Sequence, residues 1–168
     1  MASCLVLIDV QNGFVSERTA HIPGKIVQLL RSGCRFDHVV ATQFVNTDSE
    51  ESPYIRLMGW RGLLSEDSQR LHSLIAELPE RVFRKQIYSC FTPEFEEYIR
   101  ERNIDKLYFA GIDTDCCVLK SASDCFERNI SFEVLVNYCA SNGGETSHQA
   151  AITVMYRTIG GNQINKTL

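Results

Sequence analysis

The sequence lacks several features that would assign it a function at once. It has no C-x-x-C pair among its seven cysteines, and its four histidines (His21, His38, His72, His148) stand far apart, so a zinc-ribbon reading fails. It has no basic excess. The balance of 17 Lys plus Arg against 21 Asp plus Glu gives a net charge of -4, without the electrostatic footprint of a nucleic-acid or anionic-lipid binder. The apolar run nearest the amino end, Cys4 to Ile8, is too short for a signal-peptide core and stops at Asp9, so a reducing cytoplasm is the expected location. Repeats, low-complexity tracts and Pro/Gly-rich linkers are also missing. An odd cysteine count excludes a closed set of intramolecular disulfides, and the default cysteine here is a small buried hydrophobe.

What is present fits one domain of 168 residues, 44% hydrophobic and 23% charged. A chain of this size buries about 70% of its unfolded surface, enough for a full core without staples. Short β-branched runs at Cys4 to Ile8, His38 to Thr42, Val82 to Arg84, Lys106 to Ala110 and Phe132 to Val136, with a weaker sixth near Asn162 to Ile164, alternate with helical spacing. The expected helices are Lys25 to Arg31 (closed by Ser32-Gly33), Asp67 to Leu78 (from a Ser65 cap to Pro79), a Thr92-Pro93 start running to Arg100, Cys117 to Arg128, and Glu145 to Thr158. This alternation predicts an α/β fold, a three-layer Rossmann-like α/β/α sandwich with a mainly parallel sheet of about six strands. Strand order is not readable from the pattern. The long irregular stretch Phe44 to Ser65, which holds the sole tryptophan, Trp60, is a candidate substrate lid.

In an open parallel sheet, ligands bind at the carboxyl ends of the strands, so polar residues there come first. Asp9 ends the first strand, Lys85 ends the third, and Cys117 follows the fourth in Gly111-Ile112-Asp113-Thr114-Asp115-Cys116-Cys117. Each has a bland alternative: Asp9 as a partner for the turn amides of Gln11-Asn12-Gly13, Lys85 as a solvated strand end, and Cys117 as a packed helix residue like Cys125. Their common edge favours chemistry. A thiol at a helix amino terminus beside a lysine is expected to have a lowered pKa, with Asp9 to accept its proton and turn amides to hold an oxyanion.

Three blocks carry a resemblance: Leu-Ile-Asp-Val-Gln-Asn-Gly-Phe at 7 to 14, Arg-Lys-Gln-Ile-Tyr-Ser-Cys-Phe at 84 to 91, and Gly-Ile-Asp-Thr-Asp-Cys-Cys-Val at 111 to 118. In order and spacing they resemble the isochorismatase-like cysteine hydrolase superfamily. Asn142-Gly143-Gly144-Glu145 and His148 look like its closing segment. The resemblance implies Asp9 as general base, Lys85 as electrostatic support and Cys117 as nucleophile, with Cys116 at a variable position. It also implies a thioester intermediate, an oxyanion hole from the backbone amides of Asp113 and Cys117, and a non-proline cis peptide between Ile112 and Asp113. Members commonly form dimers or tetramers, so a homodimer or homotetramer is expected, with a small molecule as substrate and neither nucleic acid nor membrane as partner.

Departures from the family pattern narrow the substrate. Nicotinamidases of the family carry an Asp-x-His metal pair just after the second strand, and here Phe44-Val45-Asn46 follows Thr42-Gln43, so no metal and no cofactor is expected. Isochorismatases proper typically lack the nucleophilic cysteine. The nearer likeness is to metal-free amidohydrolases such as N-carbamoylsarcosine amidohydrolase and the ureide hydrolases. Asp113 stands where members usually have a small or apolar residue, and it bears on substrate charge. The expected pocket residues are Phe14, Gln43, Phe44, Asn46, Trp60, Tyr88 and Phe91, with core or interface packing as the alternative for the aromatics. A non-catalytic scaffold of the same fold is the competing reading from another class. A dinucleotide-binding module is the third, and the turn Asp9-Val10-Gln11-Asn12-Gly13 lacks the glycine pattern it needs.

Overall fold

The computed structural model describes residues 2–167. Six strands form one sheet: β1 (Ala2–Ile8), β2 (His38–Phe44), β3 (Arg81–Lys85), β4 (Ile104–Ile112), β5 (Ser131–Ala140) and β6 (Ile164–Asn165). Every neighbouring pair is parallel, in the order β3-β2-β1-β4-β5-β6. The order reverses between β1 and β4, and the crevice above their carboxyl ends is where such sheets bind ligands. Around the sheet lie α1 (His21–Arg31), α2 (Pro53–Arg56), α3 (Glu66–Gln69), α4 (Pro93–Glu101), α5 (Leu119–Glu127) and α6 (Glu145–Thr158).

Two apolar layers result from the alternation of side chains along the strands. On one face Val6, Ile8, Leu107, Phe109 and Val134 pack against Phe95 and Tyr98 of α4, Ala122 and Cys125 of α5 and Met155 of α6. On the other, Leu5, Leu7, Ala41, Ala110 and Leu135 meet Ile22, Ile26 and Leu29 of α1. The three-layer α/β/α expectation therefore holds. None of the helices among the described residues is long and apolar enough to cross a membrane.

Most expected elements appear, with the first five strands two to five residues longer than expected and the sixth reduced to two residues. Thr92 caps α4 as its Thr-Pro pair predicts, its hydroxyl accepting from the Phe95 amide at 3.3 Å. The expected helix Asp67 to Leu78 does not form as one element. Only Glu66–Gln69 is helical, because Leu71 bridges to Gln11, the Asn12 and Gly13 amides donate to Arg70 and Ser68, and His72 donates to Val10. These tertiary bonds override local helix preference. The expected helix from Cys117 begins differently too: Thr114–Val118 is a π-helical turn, and α5 starts at Leu119.

Candidate active site

The site grows from the ends of β1, β2, β3 and β4. Asp9 leaves β1 with φ of 49°, a left-handed conformation that aspartate tolerates better than most residues. The register that sets Leu7 beside Ala41 brings Asp9 next to Thr42. There the Asp9 amide donates to Thr42 Oγ1 at 3.1 Å, and Thr42 Oγ1 donates back to Asp9 Oδ1 at 2.6 Å. Lys85 Nζ donates to the other oxygen, Oδ2, at 2.7 Å, and both side chains are wholly buried. The Asp9 carboxylate thus serves Lys85 and Thr42 rather than the following turn, and Lys85 is not a solvated strand end.

Lys85 spends its remaining donors on the carbonyls of Ile87 at 2.9 Å and Tyr88 at 3.0 Å. Its ammonium also sits 5.3 Å from the Phe44 ring centroid. Burial disfavours the charge, but the attraction of Asp9 and Cys117 and the hydrogen bond to Asp9 outweigh it, and Lys85 titrates above the ordinary lysine range.

Cys117 lies in the π-helical turn, only 3% exposed. The expected cis peptide is present between Ile112 and Asp113. The Cys116 and Val118 amides both donate to the Asp113 carbonyl, at 3.2 and 3.1 Å, and Thr114 Oγ1 pairs with His148 Nδ1 at 2.8 Å, tying the turn to α6. Just before it, Gly111 adopts φ of 135°, and a Cβ there would fall 2.1 Å from the Ile8 carbonyl oxygen. Only glycine lets β4 lie this close to β1.

The expectation of a lowered thiol pKa is overturned. Burial, then the nearby Asp9 carboxylate, push the Cys117 thiol well above its ordinary value, and the opposing pull of Lys85 does not reverse them. The resting group is a thiol beside a base. The helix amino terminus that the sequence suggested does not compensate, since Cys117 sits in the π-helical turn rather than in the first turn of α5.

Above Cys117 opens a cavity of about 260 Å³, just under the usual ~300–1,000 Å³ for small-molecule sites. Phe14, Phe44, Tyr54, Met58, Trp60 and Tyr88 form its walls, and Asp113, Cys116, Cys117 and Asn142 its floor. The Phe14 and Trp60 rings stack with centroids 6.0 Å apart, and Tyr54 stands edge-on to Phe44 and to Tyr88 at 4.9 and 5.1 Å. The stretch Phe44 to Ser65 supplies four of these wall residues, Phe44, Tyr54, Met58 and Trp60.

Of the expected pocket residues, Phe14, Phe44, Trp60 and Tyr88 reach the cavity; Gln43, Asn46 and Phe91 do not line it. Gln43 Nε2 is turned to the Gln69 carbonyl at 2.8 Å, because the carboxyl end of α3 lies beside the end of β2. Asn46 is consumed inside the long loop, donating to the carbonyls of Trp60 and Gly62 and accepting from Ser52 and the Thr47 amide. Phe91 packs in the core against Phe95. Conversely, Tyr54 and Met58, which belong to the stretch read as a candidate lid but not to the expected pocket residues, line the cavity, and the Thr42 clamp is a further addition. Thr42 is a polar strand-end residue, the signal that picked out Asp9 and Lys85.

Comparison with known proteins supplies a family. Residues 3–165 match the isochorismatase domain family. The chain is 26% identical over 165 residues to the nicotinamidase/pyrazinamidase of Mycobacterium tuberculosis, spanning 85% of this chain and 89% of that protein. Among solved structures it superposes with a TM-score of 0.80 on the Bacillus subtilis nicotinamidase, at 24% identity over 99% of this chain and all of that one. It also superposes with a TM-score of 0.79 on the N-carbamoylsarcosine amidase of Thermoplasma acidophilum, at 22% identity over all of this chain and 99% of the other. At these identities the two structural likenesses establish the fold.

Proposed function

The chain belongs to the isochorismatase family of hydrolases, and from that premise we propose that it cleaves the C–N bond of a small amide, ureide or carbamoyl substrate through a thioester on Cys117. The observation that carries this reading is that Cys117, on the floor of one small cavity, lies within reach of the buried Asp9–Lys85 pair, whose carboxylate hydrogen-bonds its thiol. A scaffold of the same fold would have no use for a fully buried ion pair, whose desolvation costs several kcal/mol per ion.

With a neutral thiol at rest, attack and proton transfer are coupled. Cys117 Sγ bonds to the substrate carbonyl carbon while its proton passes to Asp9, and the carbonyl electron pair moves onto oxygen, held by the amides of Asp113 and Cys117. As the C–N bond breaks, Asp9 returns the proton to the departing nitrogen, releasing ammonia or an amine and leaving a thioester. Water then attacks the thioester carbon and gives a proton to Asp9. The C–S bond breaks, the thiolate takes that proton back, and a carboxylic or carbamic acid leaves. Lys85, with its donors on Asp9, Ile87 and Tyr88, keeps its charge throughout and balances the carboxylate without touching substrate.

The metal used by the family's nicotinamidases does not fit this chain. Phe44-Val45-Asn46 replaces their Asp-x-His pair, and among the described residues no group of three or more His, Cys, Asp or Glu side chains is placed to hold a metal ion. No step is routed through a metal. A homodimer or homotetramer, the assembly proposed from the family, would cover the exposed Leu57 and Ile87 outside the cavity and the exposed Met58 at its wall, and sedimentation would reveal a monomer if it is absent.

The test is an ammonia-release screen over carboxamides, ureides and carbamoyl amino acids. At least one should be turned over, and Cys117→Ala should lower that rate by about 10³-fold or more. Equal rates in wild type and Cys117→Ala would refute the cysteine mechanism.

A further inference from the structure

The cavity is unusual in its charge. No Lys, Arg or His lines it, and its one charged side chain is Asp113. The Asp9–Lys85 pair beneath is internally neutralised. An anionic substrate would therefore meet a carboxylate and no cation.

Asp113 is held in a defined direction. The Asn142 amide and Asn142 Nδ2 both donate to its Oδ1, at 2.8 and 2.9 Å. Asn142 is itself fixed, its Nδ2 also donating to the Phe14 carbonyl at 3.0 Å and its Oδ1 accepting from Ser16 at 2.6 Å. Asp113 Oδ2 takes no hydrogen bond from any described residue, and it is not sealed in the interior. The oxygen left over is the one available to a ligand. The cavity that Asp113 lines is bordered also by five aromatic rings and the Met58 thioether. Aromatic walls with a single carboxylate suit a cation wrapped in alkyl groups, because ring faces attract cations while the alkyl shell needs no hydrogen bonds.

We propose that Asp113 is a specificity-determining residue that selects amide substrates carrying an ammonium group, the aromatic walls enclosing its alkyl shell and Asp113 Oδ2 balancing its charge. The inference rests on the amide-hydrolase reading of the same site. It also removes an electrostatic conflict, since the Asp113 carboxylate stands on the residue whose amide is assigned to the oxyanion hole. With a neutral substrate that carboxylate opposes the negative charge growing on oxygen. A substrate cation neutralises it, so the right substrate completes the field that the reaction requires.

The experiment uses three probes of similar size: betaine amide (cationic), 3,3-dimethylbutanamide (its neutral isostere) and malonamate (anionic). Rates are corrected for each probe's hydroxide-catalysed hydrolysis. Wild type should prefer betaine amide over the isostere by about tenfold or more in kcat/KM, and Asp113→Asn should erase about tenfold of that preference while raising relative turnover of malonamate. A second measurement needs no turnover: in Cys117→Ala, fluorescence of the sole tryptophan, Trp60, should report saturable binding of betaine amide, weakened about tenfold in Cys117→Ala with Asp113→Asn. An unchanged preference and unchanged Trp60 titration would overturn the proposal while leaving the hydrolase reading intact. Cation binding at Trp60 that depends on Asp113, without turnover of any amide, would uphold this inference and sink the hydrolase reading instead.

Discussion

At the residue scale, the proposed chemistry falls to Asp9, Lys85 and Cys117, and a fourth side chain holds Asp9 in place. Thr42 exchanges two hydrogen bonds with Asp9 and holds the carboxylate with one oxygen toward Lys85. Thr42→Val keeps the shape but strands a buried amide and a carboxylate oxygen. Unfolding free energy should fall by about 1–3 kcal/mol in urea titrations, and kcat should fall by about tenfold as Asp9 loses its orientation. Asp113 has a pH signature of its own. Burial first, and then the charges of Asp115 and Asp9, raise its carboxyl to about 6 against the bonds from Asn142, which favour the charged form. Because the folded value lies above the unfolded one, its contribution to stability is complete at about pH 4 and lost as pH rises through about 6. Asp113→Asn should therefore match wild type at pH 4 and exceed it by up to about 3 kcal/mol at pH 7, read from unfolding curves at both pH values. A gain of the same size at both would contradict that placement.

The elements carry these residues to one place because the sheet order reverses between β1 and β4. Gly111 is the narrowest point of that junction. Gly111→Ala would press a methyl group into the Ile8 carbonyl, and denaturation should show a loss of about 3 kcal/mol or more together with loss of turnover. Strands, α4 and α6 are legible in the sequence because hydrophobic period and cap residues agree with the tertiary structure there. The segment after Glu66 is not, because its backbone bonds go to Val10, Asn12 and Gly13 of the first loop, partners that no local pattern encodes. The end of α3, at Gln69, explains why Gln43 misses the cavity. Asn46 was misread for a related reason: a polar residue beyond a strand end can bind its own loop as readily as a ligand.

For the molecule as a whole, the sheet edge that carries the candidate site was legible in the sequence and its electrostatics were not. Asp9, Lys85 and Cys117 stand out in sequence by position alone. The raised Cys117 thiol depends on burial, which only the packed cavity and its aromatic walls create. The seven cysteines likewise divide by environment: all are free, burial raises Cys90 and Cys139 to about 12, and Cys116, half-buried, lines the cavity instead of the core. In the proposed mechanism a neutral resting thiol leaves substrate arrival, rather than a standing thiolate, to start the reaction.

The central claim is the covalent intermediate on Cys117. Rapid quenching of wild type during turnover of the best amide found, followed by intact-mass and peptide mass spectrometry, tests it most directly. The account predicts an acyl adduct, of the substrate's mass less its leaving amine, on the peptide containing Cys117. Steady turnover with that peptide unmodified at every quench time, and a Cys117→Ala variant as active as wild type, would contradict it.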